Sequence, residues 1–256
     1  MTIINALIED FEKKQVLKVI CGCLNNFDEN LIRNTIKAAS LGGATYIDIA
    51  ADLRIIKLAK AVSNLPICIS SIIKDQIYKC VDNGIEIVEI GNFDVFYSKS
   101  MTFSVEDIKN ISYKIRKQHK EITICSTIPY VLSLKEQIDL AQYLEFIGID
   151  IIQTEGTINS TNVNKNLNLS LSKSTSTLLT AYNLSRVVNI PIIAASGISL
   201  QNSQTAMSYG ASGLGVKTAI DKMASLSEKI KIVRQLKTNI SNHSYVKQIS
   251  KELIKL

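Results

Sequence analysis

Residues 190–220 read IPIIAASGISLQNSQTAMSYGASGLGVKTAI, and this stretch carries the pattern that decides the fold. A short apolar run at 192–195 follows a proline and ends in Ser196-Gly197, after which a segment of helical periodicity extends to Gly210. A second short run, GLGV, then begins at 213. Two short β-rich runs joined through a helix that ends in glycine are typical of a βαβ unit with parallel strands.

The same unit recurs along the chain. Runs typical of buried strands lie at 17–21, 46–49, 67–70, 87–90, 122–126, 151–154, 192–195 and 213–216, and each precedes a longer helical segment. Eight βα units within 256 residues predict a single (β/α)₈ barrel, a TIM barrel, that spans residues 1–256 as one domain. A doubly wound sheet would need fewer strands and a topological switch point.

One segment departs from this regular succession. Residues 155–173 are rich in Asn, Ser and Thr, and they exceed the usual length of a βα connection. We interpret the segment either as a mobile lid over the sixth strand or as a neutral insertion.

The composition indicates a globular protein and argues against several partners. Hydrophobic residues make up 46% of the chain and charged residues 20%, which is too apolar for a disordered protein. The net charge is +6, but the Lys and Arg residues are scattered and form no basic block, so we expect no nucleic-acid partner. The five cysteines are odd in number and indicate reduced thiols. Without a signal pattern or a long apolar run, the chain is predicted to be soluble, with no membrane contact.

The loops after the seventh and eighth strands have the composition of a phosphate site. Ser196, Gly197, Gly215 and Lys217 lie at these strand ends. Glycine lets the backbone approach an anion, and free N–H groups at a helix start favour negative charge. A small residue is more usual where Lys217 stands. Its side chain either adds a cation to the site or points away from it.

Charged residues within three strands suggest a reaction centre. Lys18, Asp48 and Glu89 lie inside apolar runs, and a charge within a barrel strand normally points inward. Burial of such charges costs several kcal/mol unless they pair or bind a ligand. One interpretation is a structural salt bridge. The other is a catalytic centre in which an acid transfers protons, while Lys18 acts as a charged stabiliser or as a Schiff-base amine. Because two carboxylates share the cavity, we favour the charged role.

Further polar residues are predicted to line the same pocket. They are Ser126 on the fifth strand, Gln153 on the sixth and Glu155 just beyond it. With two histidines in the chain and no credible ligand set, we predict no resident metal and no required cofactor. A divalent cation such as magnesium, bound by Asp48, Glu89 and substrate oxygens, is compatible with the sequence.

Several blocks of sequence point to a known family. They are LKVICG at 17–22, GGATYIDIA at 42–50, VEIGNFD at 88–94 and DIIQTEG at 150–156. With these blocks the chain resembles the hypothetical chloroplast open reading frame twenty-three family over nearly its whole length. The resemblance implies an aldolase-type barrel and a location in the plastid, in the chloroplast stroma. It implies no particular reaction. The family pattern has a further glycine where Lys217 stands, which weakens the phosphate prediction there.

Two functions are compatible with these residues. The first is an enzyme, a lyase or isomerase, that acts on a small phosphorylated metabolite. The second is a non-catalytic sensor or regulatory module that binds a metabolite in the same pocket. Binding and turnover need the same pocket, so the sequence leaves both open.

Overall fold

Eight parallel strands close into a barrel in chain order. The computed structural model describes residues 4–22, 27–91, 93–97, 101–156 and 169–253. The strands are β1 (Val16–Ile20), β2 (Tyr46–Ala50), β3 (Ile67–Ser71), β4 (Ile87–Ile90), β5 (Thr123–Ile128), β6 (Ile151–Thr154), β7 (Ile192–Ala195) and β8 (Gly213–Val216). Each lies within two residues of its predicted position, and the predicted aldolase-type (β/α)₈ barrel is confirmed.

One helix precedes the first strand, and the other helices follow the strands around the barrel. The helices are α1 (Asn5–Glu12), α2 (Glu29–Gly42), α3 (Leu53–Val62), α4 (Lys74–Val81), α5 (Asp94–Tyr97), α6 (Val105–Gln118), α7 (Leu134–Phe146), α8 (Leu169–Leu184), α9 (Ser203–Ser208), α10 (Thr218–Asp221) and α11 (Leu226–Leu253). Within the described ranges, no helix combines the length and the apolar character that a membrane crossing requires.

Part of the predicted lid segment is helical. The segment 155–173 was predicted as an irregular loop, but its last five residues already belong to the first turns of α8. Residues 157–168, the centre of the predicted lid, lie outside the described residues. Packing of α8 against β7 and α7 stabilises this helix despite its Ser-rich and Thr-rich sequence.

The alternation of side chains in β1 determines which residues face the interior. Leu17 and Val19 are fully buried in the apolar layer between the strands and the helices. Successive side chains of a strand point to opposite faces, so Lys18 between them points into the barrel. The same alternation places Asp48 between Ile47 and Ile49 on the inner face of β2.

The bottom of the barrel is closed by apolar residues. The strands contribute an inner layer consisting of Val16, Tyr46, Cys68, Ile87, Cys125, Ile151 and Ile193. Leu7 and Phe11 of α1 pack against this layer from below. The backbone N–H of Ile4 donates a hydrogen bond of 2.9 Å to Thr123 Oγ1, which attaches the start of α1 to β5. Helix α1 therefore seals the amino-terminal end of the barrel.

Candidate functional site

An ion cluster crosses the centre of the barrel. Lys18 Nζ lies 2.9 Å from Asp48 Oδ2 and 2.9 Å from Gln153 Oε1, and it also donates a hydrogen bond to Glu89 Oε2. These residues come from β1, β2, β4 and β6. Strands β1, β4 and β6 are not neighbours, so their side chains can meet only through the interior. The structure thus brings together the three charged residues that the sequence suggested.

Neighbouring hydroxyl and amide groups satisfy the two acids. Asp48 Oδ1 accepts a hydrogen bond of 2.6 Å from Ser70 Oγ, while its Oδ2 faces the ammonium without an aligned hydrogen bond. Glu89 Oε1 accepts hydrogen bonds from Thr127 Oγ1 at 3.0 Å and from Gln153 Nε2 at 2.6 Å. The cluster therefore has the connected hydrogen bonding that a buried polar network needs.

Burial and charge act in opposite directions on the ionisable groups of the cluster. Burial alone would lower the pKa of Lys18, but Asp48 and Glu89 outweigh it and hold that pKa well above its usual value. Burial raises the pKa of Glu89; the ammonium opposes the rise and Asp48 adds to it, so that this pKa stays above its ordinary range. Lys18 is consequently charged at neutral pH, and Glu89 is the acid more readily protonated there than in water.

A small cavity opens directly above this cluster, at the carboxyl ends of the strands. Its described walls enclose about 100 Å³, less than the 300–1,000 Å³ typical of sites for larger ligands. Gln153 and Thr127, which bond to Glu89, belong to its walls, whereas the three charged residues do not. The cluster thus reaches the cavity through the hydrogen-bonded side chains of Gln153 and Thr127.

All four residues predicted to bind phosphate line this cavity, together with Gln153 and Glu155. The four are Ser196, Gly197, Gly215 and Lys217. Ser196 and Gly197 have φ of 78° and 73°, two consecutive residues in the left-handed region. Ser196 is not a glycine, so this conformation stores strain at the turn. Two such residues in succession form a tight turn at the end of β7.

Gly215 lies inside β8 and is required there by packing. A Cβ atom at this position would lie 2.9 Å from Ala195 Cβ and 3.4 Å from Gln153 Oε1. The absence of a side chain therefore leaves room for the Gln153 amide at the base of the cavity. Lys217 follows the strand, and its Nζ lies 2.9 Å from Asp221 Oδ2 on α10.

Glu155 is fixed at the mouth by aromatic residues. Its Oε2 accepts hydrogen bonds from the Tyr97 hydroxyl at 2.7 Å and from the Tyr130 backbone N–H at 3.2 Å. The two tyrosine rings meet edge to face, with centroids 5.2 Å apart. The carboxylate therefore has a defined position in the cavity wall.

The prediction that Ser126 lines the pocket is wrong. Ser126 pairs in register with Ile90 and Ile152, which belong to the outer apolar layer, and its hydroxyl is buried without a hydrogen-bond partner. Thr127, the next residue, points inward and bonds to Glu89. Lys173 of α8, which was not among the predicted site residues, also lines the cavity. The sequence does contain a signal for Thr127, because it alternates with the apolar, outward-facing residues of its strand. No comparable signal in the sequence identifies Lys173.

One group of potential metal ligands surrounds the Lys18 ammonium. Within the described part of the chain, Asp48, Cys68 and Glu89 offer side-chain atoms within 4.8 Å of one another. The Lys18 ammonium contacts both carboxylates and takes the position of a cation between them. Burial raises the pKa of Cys68 well above its usual value, and a thiol is a poor ligand for magnesium. Magnesium bound by the two acids and substrate oxygens stays a prediction.

Comparison with known proteins assigns the family. The family described as "Protein of unknown function (DUF561)" matches residues 3–246. The chain belongs to this family. Relatives named "Uncharacterized protein ycf23" include one from Pyropia yezoensis, 42% identical over 97% of this chain and 90% of that protein. Another, from Cyanophora paradoxa, is 38% identical over 94% of this chain and 99% of that protein. The predicted family is thereby confirmed, and red algae and glaucophytes supply its plastid-type relatives.

Solved structures with the same fold are distant in sequence. Thiamine phosphate pyrophosphorylase from Pyrococcus furiosus has a TM-score of 0.59 and 18% identity, over 90% of this chain and 98% of that chain. (S)-3-O-geranylgeranylglyceryl phosphate synthase from Thermoplasma acidophilum, in complex with its substrate sn-glycerol-1-phosphate, has a TM-score of 0.57 and 12% identity, over 94% of this chain and 100% of that chain. These similarities concern the barrel fold alone.

Proposed function

We propose that this member of the DUF561 family is a lyase or isomerase acting on a small phosphorylated metabolite in the plastid stroma. A single arrangement carries the proposal. The cavity joins the turn of Ser196 and Gly197 to the side chains of Gln153 and Thr127, which bond to the buried ion cluster. An anion site thus adjoins the side chains of Gln153 and Thr127, behind which the proton-transfer group lies, at the end of the barrel where such enzymes work.

The cavity has the chemistry of a phosphate site. Its walls include Ser196, Gly197 and Gly215, and two lysines, Lys173 and Lys217. Backbone N–H groups and ammonium groups are the usual donors to phosphate oxygens. The small volume of the cavity favours a compact phosphorylated metabolite over a nucleotide.

The ion cluster supplies the reactive groups in this proposal. The Lys18 ammonium, kept charged by its two carboxylates, acts through Gln153 to stabilise negative charge that develops on a carbonyl or enolate oxygen. Glu89, with its raised pKa, exchanges the proton with the substrate through the hydroxyl of Thr127. Gln153 bonds to both residues and transmits a change at the cavity to them. No cofactor is required by this chemistry.

Two fold neighbours support the substrate class by analogy. One is named for a thiamine phosphate reaction and the other binds sn-glycerol-1-phosphate as its substrate. Both titles refer to phosphorylated compounds. At identities of 18% and 12% this support is limited to analogy between barrels.

Thermal unfolding with and without phosphorylated metabolites tests the proposal. We expect three-carbon and four-carbon sugar phosphates to raise Tm, because a ligand that binds only the folded state stabilises it, while their dephosphorylated counterparts do not. Mass spectrometry then follows any stabilising compound for conversion. Glu89→Gln, which keeps the side-chain volume, should bind the compound and fail to convert it. Equal stabilisation by the dephosphorylated counterparts would contradict the phosphate site.

One observation favours the alternative of a non-catalytic sensor. Lys18, Asp48 and Glu89 are at most 1% exposed and satisfy one another's charges, as a structural ion cluster would. A stabilising metabolite that is recovered unchanged after long incubation would support this alternative over the enzyme.

A further inference from the structure

We propose that Lys173, on α8, is the cation that binds the phosphate group, whereas Lys217 serves to fix the loop after β8. This inference rests on the proposed function and specifies the contacts of its phosphate site. The predicted site did not include Lys173.

Close backbone packing fixes Lys173 beside the turn after β7. A Cβ atom at Gly197 would lie 2.7 Å from Ser174 N and 3.0 Å from Lys173 Cβ. A Cβ atom at Gly156, just after β6, would lie 2.6 Å from Lys173 O. Both glycines are therefore needed for α8 to approach the strand ends this closely. The position of Lys173 at the cavity follows from this packing and does not depend on its own side-chain contacts.

A hydroxyl group ties the next turn of α8 to the same loop. The Thr177 hydroxyl lies 2.9 Å from Ala195 O and 2.8 Å from Ser196 O, and it donates its hydrogen to these carbonyls. Thr177 is fully buried. The segment from Lys173 to Thr177 and the turn of Ser196 and Gly197 thus form one rigid wall of the cavity.

The two lysines of the cavity differ in their charge partners. Lys217 Nζ forms an i,i+4 ion pair with Asp221 at 2.9 Å. Lys173 forms no ion pair with any residue in the described ranges. To bind phosphate, Lys217 would share its ammonium with the carboxylate of Asp221, which repels an anion, while the Lys173 ammonium would gain a counter-ion. Glu155 lines the same cavity, but its Oε2 accepts hydrogen bonds from Tyr97 and Tyr130. A lysine without an ion-pair partner in a confined wall favours an anionic ligand group.

Binding of inorganic phosphate to matched lysine variants tests the assignment. The variants are Lys173→Met, Lys217→Met and, as a control on the exposed face of α3, Lys57→Met. Calorimetry should show that Lys173→Met raises Kd about tenfold or more, because one charge-assisted hydrogen bond is lost. We expect Lys217→Met to raise Kd less than Lys173→Met does, and Lys57→Met to leave it unchanged. Lys173→Arg, which keeps the charge, should bind more tightly than Lys173→Met.

The outcomes separate this assignment from the proposed function. Equal Kd for wild type and Lys173→Met, or a larger loss in Lys217→Met, would overturn the role of Lys173 and leave the phosphate site standing. Absence of phosphate binding by the wild type would instead overturn the proposed function. Circular dichroism verifies that each variant is folded, and Lys173→Gln provides a polar substitute if Lys173→Met is not.

Discussion

Replacement of Lys18 by Met removes the cation of the buried cluster at nearly constant volume. Asp48 and Glu89 would then remain inside the barrel, at most 1% exposed, without a counter-charge. Removal of one partner of a buried ion pair costs about 3–5 kcal/mol. Because total stabilities are about 5–15 kcal/mol, the variant should fold but lose a large part of its stability at pH 8.

The loss should depend on pH in a defined direction. Without the ammonium, the pKa of Glu89 rises further above the value of 4.5 that it has without the fold. A carboxyl group with a higher pKa in the folded state contributes stability below its unfolded pKa, and this contribution is lost as pH rises through the folded pKa. The difference in unfolding free energy between wild type and Lys18→Met should therefore grow between pH 5 and pH 8, by at most about 1.4 kcal/mol per pH unit.

Urea unfolding at pH 5 and at pH 8 measures the loss of unfolding free energy in Lys18→Met and the change of that loss with pH. The double variant Lys18→Met/Glu89→Gln is the matched control, since it removes one of the uncompensated charges and should recover stability at pH 8. A loss below about 1 kcal/mol at pH 8, or a loss that is the same at both pH values, would refute the view that Lys18 neutralises the two acids.

Two substitutions at the cavity test its backbone. Ser196→Gly should raise the unfolding free energy by up to about 1 kcal/mol, because glycine adopts a φ of 78° without strain. An unchanged or lower unfolding free energy would show that the turn stores no strain. Gly215→Ala should lower stability by about 1–3 kcal/mol and weaken phosphate binding, since its Cβ would lie 2.9 Å from Ala195 Cβ. Urea unfolding and calorimetry measure these effects, and phosphate affinity equal to that of wild type would place the ligand away from β8.

The barrel was predictable because its signals are local and repeated. Each strand is a short apolar run, and each is followed by a helical segment that often ends in glycine. Lys18 could also be placed correctly, because Leu17 and Val19 on either side have only one reasonable environment, the apolar layer beneath the helices. In such strands the hydrophobic pattern determines the inward face.

The errors occur where the pattern is ambiguous. Strand β5 reads TICSTI, in which small polar residues occupy both faces, and only its alternation with Ile124 and Ile128 separates the outward Ser126 from the inward Thr127. Lys173 was assigned to a loop because the Ser-rich and Thr-rich start of α8 has low helix propensity. Its place at the cavity results from tertiary contacts with Gly156 and Gly197, which no local pattern encodes.

Among the described residues, Leu7, Phe11 and the inner apolar layer close the amino-terminal end of the barrel, while the cavity above Gln153 lies at the carboxyl ends of the strands. A ligand of this cavity should therefore enter and leave from the carboxyl-terminal side of the barrel. For an enzyme built in this way, product and fresh substrate would occupy the same cavity, so the kinetics should show competitive inhibition by product.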